Sequence, residues 1–115
     1  MHEIYIKRIY DAPSADDGCR ILVDRIWPRG VSKEKAELVH WIKDVAPSTE
    51  LRKWFAHDPE KFEKFASRYR KELEEKTEFL AKIQGEAKKN RVTLLYGARD
   101  TEHNQAVVLQ RLLQV

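Results

Sequence analysis

Two apolar runs with strand character, Arg20 to Trp27 and Val92 to Tyr96, stand on either side of a long helical stretch. That spacing constrains the fold more than any other feature of the chain. Two strands of one sheet with a helix between them need a crossover, and a crossover makes the pair parallel. A third run, Ile4 to Tyr10, alternates, with Ile4 and Ile6 on one face and Tyr5, Lys7 and Ile9 on the other. Its β-branched and aromatic content reads as a first strand. Pro13, Ser14 and Gly18 supply the turn chemistry before the second run. A connection that short allows an antiparallel first pair. The expected fold is α/β: a small single domain over residues 1–115, with a mostly parallel central sheet of about three strands and helices packed on it.

The helices announce themselves by caps and periodicity. Ser32 before Lys33, Glu34, Lys35 and Ala36 can open a short helix, and the patch Leu38, Val39, Trp41, Ile42, Val45 has no clear period and reads as irregular or extended. Ser48 reads as an N-cap for a short helix carrying Leu51, Trp54 and Phe55. Asp58-Pro59 is the clearest start signal in the chain, a capping aspartate followed by proline at the first helical position. The stripe Phe62, Phe65, Ala66, Tyr69, Leu73 follows, extending toward Leu80, Ile83 and Ala87, with a break at Lys76-Thr77, where Thr77 can cap a second helix, and with Gly85 and Asn90 toward the stop. A last helix is expected from Asp100 or Thr101. It is apolar on most sides through Ala106, Val107, Val108, Leu109, Leu112 and Leu113, so it should dock on two neighbours.

Length and composition exclude several classes. A chain of 115 residues builds one core, and 42% hydrophobic content excludes wholesale disorder. A net charge of +3 is a weak argument for nucleic acid, although a pI near 9.0 keeps that option open. The single cysteine, Cys19, excludes an internal disulfide and a cysteine-built zinc site, and fits a reducing cytoplasm. Met1-His2-Glu3-Ile4 has no charged and then apolar opening, so no signal peptide is expected. The four histidines, His2, His40, His57 and His103, show no metal-binding spacing, so no metal or cofactor is expected from the sequence.

The run from Arg20 to Gly30 breaks a local rule, because its buried strand pattern passes straight into Asp24, Arg25 and Arg29. Buried charge needs a partner, and such conflicts concentrate at functional sites. In an open parallel sheet, ligands bind outside the carboxyl ends of the strands. The second strand delivers Trp27, Pro28, Arg29 and Gly30 there, and the third delivers Tyr96, Gly97, Ala98, Arg99 and Asp100, next to a helix N-terminus. Two guanidiniums, Arg29 and Arg99, beside the N–H groups of a helix start suit a small anion. The plain alternative is that both pair with surface carboxylates. His103, three residues after Asp100, can act as a general base, or Asp100 can simply cap the helix with His103 in solvent. Adjacent in a strand, Asp24 and Arg25 should point to opposite faces, with Arg8 as the natural partner of Asp24. Cys19 reads as a plain buried thiol.

These residues also resemble a known family. Val23-Asp24-Arg25-Ile26-Trp27-Pro28-Arg29-Gly30-Val31-Ser32-Lys33-Glu34 is similar to the signature of the YeaO-like proteins, a short branch of the domain-of-unknown-function 488 family (DUF488). Further similarity runs through Trp41 to Ser48, Leu51 to Phe55 with His57-Asp58-Pro59, Tyr69 to Leu73, and Leu94 to Asp100 with His103-Asn104. The resemblance covers nearly the whole chain. It implies a cytoplasmic α/β protein of no agreed activity, and groups the segment from Trp41 to His57 with the two strand-end turns. Asp44, Arg52 and His57 thereby join the site as residues of a third wall. Where the family usually has lysine and histidine this chain has Arg99 and Gln105, which weakens any role for a histidine at the second place.

Three functions follow as expectations. The first is a site for a small anionic ligand of phosphate, sulfate or carboxylate type. Arg25, Trp27, Arg29, Tyr96, Arg99, Asp100, Asn104 and His57 would bind it, and His103 or Asp24 would transfer a proton if there is chemistry. The second is a nucleic-acid accessory or regulator, marked by salt-dependent binding. The third is a partner-binding structural module anchored by exposed tryptophans. No membrane partner is expected.

Overall fold

The computed structural model describes residues 2–114. Nine elements form the scaffold: β1 (Ile4–Arg8), β2 (Cys19–Leu22), α1 (Lys33–Ala36), β3 (His40–Trp41), α2 (Thr49–Phe55), α3 (Phe62–Leu73), α4 (Thr77–Lys89), β4 (Val92–Tyr96) and α5 (Gln105–Leu113). Short 3-10 turns lie at Ala15–Asp17, Lys43–Val45 and Pro59–Lys61. None of the described helices is long and apolar enough to cross a membrane.

The sheet has four strands in the order β1-β4-β2-β3, and every pairing is parallel. The mostly parallel α/β domain expected from the spacing is therefore present, with one more strand. The fourth strand, His40–Trp41, comes from the patch that lacked a period. The antiparallel pairing allowed for the first two strands does not form. β4 inserts between them, in register Ile6↔Leu94 on one side and Ile21↔Leu94 on the other. Both faces of β4 are covered, and all five of its residues are buried, as a continuous apolar run requires.

The two faces differ. Cys19, Ile21 and Val23 share one face with Val92, Leu94 and Tyr96, and they join the main core with Phe65, Tyr69, Leu73, Ile83, Val108 and Leu109. α3, α4 and α5 supply that layer. α3 carries its apolar stripe on one side, and α5 is buried on most sides, as its composition demands. The opposite face is thinner: Leu22, Leu95 and Ile9 pack under Ala36, Trp27, Val31 and Leu38. Arg20 lies on that thin side and is buried. Its Nη1 stands 2.5 Å from Asp17 Oδ2, and its Nε and Nη2 donate to the Ala36 carbonyl. Burial alone would raise the Asp17 carboxyl. The Ser14 N–H, Lys7 and Arg20 reverse that and hold it below its ordinary value. A charge inside a strand is thus admitted where each guanidinium nitrogen finds an acceptor.

Helix boundaries follow the caps. Ser48 and Asp58 cap as expected, and Glu72 accepts from both the N–H and the hydroxyl of Ser48 at 2.8 and 2.6 Å. The long stripe breaks between Leu73 and Thr77, with Lys76 rather than Thr77 at the cap, and α4 stops at Lys89 with Asn90 as its C-cap. The last helix begins at Gln105, not at Asp100 or Thr101, because Asn104 caps it by accepting from the Val107 N–H at 3.1 Å.

Gly18 precedes β2 with φ of 65°, and a Cβ there would lie 2.3 Å from the Arg91 carbonyl oxygen. The backbone can approach that oxygen only without a side chain, and Cys19 N then donates to it at 2.7 Å. Gly18→Ala is expected to lose at least about 2 kcal/mol in urea unfolding, with the m-value unchanged.

Candidate functional site

Val23 makes the last ladder contact of the second strand, donating its N–H to Leu95 at 3.0 Å. From Asp24 the chain leaves the sheet. Asp24 and Arg25 are therefore not strand neighbours on opposite faces; they stand in the bend beyond it. The bend meets the turn after β4. Gly97 N donates to Asp24 Oδ2 at 3.0 Å, and Gln105 Nε2 donates to Asp24 Oδ1 at 2.5 Å. A Cβ on Gly97 would lie 2.9 Å from Asp24 Oδ2 and 3.7 Å from Pro28 Cβ, so the glycine lets the two turns close on each other. Arg8 is not the partner of Asp24. Its Nε donates to the Ala98 carbonyl at 2.9 Å, since β4 separates its strand from β2.

Where the turns meet, a cavity of about 560 Å³ opens. Asp24, Arg25, Trp27 and Arg29 line it from the bend, Gly97 and Ala98 from the turn after β4, and Asn104 and Gln105 from the start of α5. Arg52 and Phe55 of α2, His57, Ala46 and Pro47 close the remaining side. The third wall is fixed by its own bonds. Tyr69 donates its hydroxyl to the Val45 carbonyl at 2.5 Å, and Lys76 donates to that of Ala46 at 3.0 Å. Arg25 donates to Pro47 at 3.1 Å and to Ala46 at 3.2 Å, which joins the bend to this wall. Ala56 and His57, with φ of 47° and 57°, hold left-handed backbone at the end of α2. Such geometry in residues other than glycine is unusual and persists only where the surroundings enforce it.

The structure divides the residues expected at the site. Asp24, Arg25, Trp27, Arg29, Arg52, His57 and Asn104 share the cavity. Tyr96 is buried in the core beneath it. Arg99 is exposed and Asp44 is exposed, and neither lines the cavity. Asp100 and His103 form their own pair, Nδ1 to Oδ2 at 2.9 Å, with the imidazole edge-on to Phe62 at 5.2 Å. His103 faces a separate groove with Glu63, Gln110 and Arg111. The displacement follows from the helix start: with Asn104 as cap, the segment 100–103 turns away before α5 begins. Sequence reasoning missed Tyr10, Phe55, Phe65 and Gln105 as lining residues. Gln105 stood out only as a departure from the family pattern.

Burial pushes the Asp24 carboxyl up to about 6. The Gly97 and Gln105 hydrogen bonds, and then the Arg52 and His57 charges, work against that rise without cancelling it. Asp24 thus exchanges a proton close to neutrality, while both its oxygens already accept hydrogen bonds.

The family model described as the inactive DUF488-N3 subclade matches residues 3–115. The chain belongs to the DUF488 family. It is 43% identical over 110 residues to uncharacterized protein Rv3073c of Mycobacterium tuberculosis, covering 96% of this chain and 92% of that one. It is also 43% identical over 106 residues to uncharacterized protein YeaO of Escherichia coli, covering 92% of each. No solved structure matches. The DUF488 resemblance read from the Val23 to Glu34 signature and the later motifs is thus shown over nearly the whole chain, and Asp24 to Arg29 of that signature form one wall of the cavity.

The raised carboxyl has a consequence for stability. The folded state holds the Asp24 proton more tightly than the unfolded chain does. Stability from this group is therefore greatest below the ordinary aspartate range and falls as pH rises through about 6. Asp24→Asn keeps the shape and removes the buried charge. Unfolding in urea between pH 4 and 8 should show the wild type losing stability relative to Asp24→Asn as pH rises, with the change centred between pH 4 and 6.

Proposed function

We propose that the cavity binds a small anion of phosphate, sulfate or carboxylate type. One observation carries this reading: Arg25, Arg29, Arg52 and His57 line the cavity, and Asp24 is the one carboxylate among its described lining residues. Neither Arg29 nor Arg52 enters an ion pair among the described residues. Guanidiniums bind oxyanions through paired, charge-assisted hydrogen bonds, which strengthen where water is partly excluded. Trp27 and Phe55 supply apolar wall, so the site takes an anion attached to a small organic body as readily as a bare one.

Binding without turnover is the form of this reading we favour. His103 stands outside the cavity, Asp24 has both oxygens engaged, and the matching subclade is described as inactive. A cytoplasmic setting goes with it, since the lone cysteine is free and a reducing compartment keeps it so.

Titration with inorganic phosphate and pyrophosphate, followed by amide shifts in NMR, tests the reading. Arg29→Ala with Arg52→Ala should weaken binding at least about tenfold, the loss expected of one charged hydrogen bond. Arg99→Ala should leave it unchanged. A double variant that binds as well as wild type would remove the proposal.

A further inference from the structure

At the sheet rim opposite the cavity, three side chains that the sequence keeps far apart come together. Cys19 opens β2, His40 belongs to β3, and Glu86 lies on α4. Parallel pairing sets Ile21 beside His40, so Cys19, Ile21 and His40 project from the same face of the sheet. α4 packs over that face with Ile83 and Ala87 buried, and Glu86 reaches the rim between them. One donor atom from each residue lies within 4.8 Å of the other two. Cys19 Sγ is 3.2 Å from Glu86 Oε2, and His40 Nε2 is 3.6 Å from the same oxygen.

We propose that Cys19, His40 and Glu86 form a binding site for a divalent transition-metal ion of the zinc type. Tetrahedral zinc with sulfur at about 2.3 Å and nitrogen or oxygen at about 2.0–2.2 Å spaces its donors roughly 3.3–3.8 Å apart. The His40–Glu86 separation of 3.6 Å lies in that range and the Cys19–Glu86 separation of 3.2 Å falls just below it, so an ion needs only small side-chain adjustments. The donors are a thiolate, an imidazole and a carboxylate, the set a borderline-soft cation prefers over magnesium or calcium. A thiolate and a carboxylate together balance the double charge of the ion. His40 and Glu86 are partly exposed, which gives an entry path and leaves the fourth position to water.

The protein prepares the buried ligand most firmly. The backbone N–H of Cys19 is fixed on the Arg91 carbonyl by the left-handed turn at Gly18. Without a cation, the Cys19 thiol donates to Glu86 Oε2 at 3.2 Å. A bound ion takes the place of that proton, which passes to solvent as the sulfur–metal bond forms. The ion would tie the two-residue edge strand β3 to β2 and α4. This site shares no residue with the anion cavity and does not depend on that reading.

Untagged protein in chelator-stripped buffer, titrated with Co²⁺, decides the matter. One ion per chain should bind, with a thiolate-to-cobalt charge-transfer band in the near ultraviolet that Zn²⁺ displaces, and Zn²⁺ should raise the melting temperature. Cys19→Ser should abolish the band. His40→Gln and Glu86→Gln, both at partly exposed positions, should each weaken binding about tenfold or more, while their melts in chelator stay near wild type. Two results would overturn the site: no saturable band, or a band whose affinity is unchanged in both His40→Gln and Glu86→Gln. The second would place the ion on the thiol alone. Should Cys19→Ser fail to fold, those two variants decide.

Discussion

The carboxylate of Asp24 joins what the chain keeps apart. It accepts from the backbone of the turn after β4 and from the side chain that opens α5, and it sits where β2 leaves the sheet. Without that junction the bend from Asp24 to Gly30 would lose the hydrogen bonds that tie it to Gly97 and Gln105. Burying the carboxylate is costly, and the raised proton affinity measures that cost. The surrounding cations, Arg52 and His57, lessen it without removing it. The same arrangement leaves the cavity rich in positive charge around one acid, which is the chemistry a small anion recognises.

The central place of β4 governs the rest of the geography. Because it lies between β1 and β2, its carboxyl end is flanked by the ends of both neighbours. Tyr10, just past β1, and the bend past β2 therefore reach the same cavity. The same topology brings the amino ends of the strands together at the far rim, where Cys19 meets α4. One sheet thus positions a cationic cavity at one end and a mixed sulfur, nitrogen and oxygen cluster at the other. Among the described strands, fully buried charge is confined to Arg20, each of whose three guanidinium nitrogens donates to Asp17 or the Ala36 carbonyl.

Much of the scaffold was legible from local signals. Ser48 and Asp58-Pro59 marked helix starts because a capping oxygen acts on its own first turn, whatever the rest of the chain does. The stripe from Phe62 to Leu73 marked a buried helix face for the same local reason. The start of α5 was not legible, since Asp100, Thr101 and Asn104 are all competent caps. Asn104 takes the role in a segment whose Asp100 is already engaged with His103. That choice carried Asp100 and His103 away from the cavity. The pairing of β1 with β4 was likewise hidden, because a short connection permits an adjacent partner without requiring one.

By itself the sequence determined the class of the molecule: an α/β domain with parallel strands, the turn from Asp24 to Gly30 as the place where charge meets the sheet, and membership of the DUF488 family. The class and the place of the turn follow from periodicity, caps and crossover length, which act over a few residues or through chain connectivity; the family follows from the motifs matched along the chain. Only the tertiary structure decided which cations share the cavity, why Asp24 answers to Gly97 and Gln105 rather than Arg8, and that Cys19, His40 and Glu86 meet. Those outcomes depend on strand order and on how helices lie across a sheet, and neither is written in the spacing of residues along the chain.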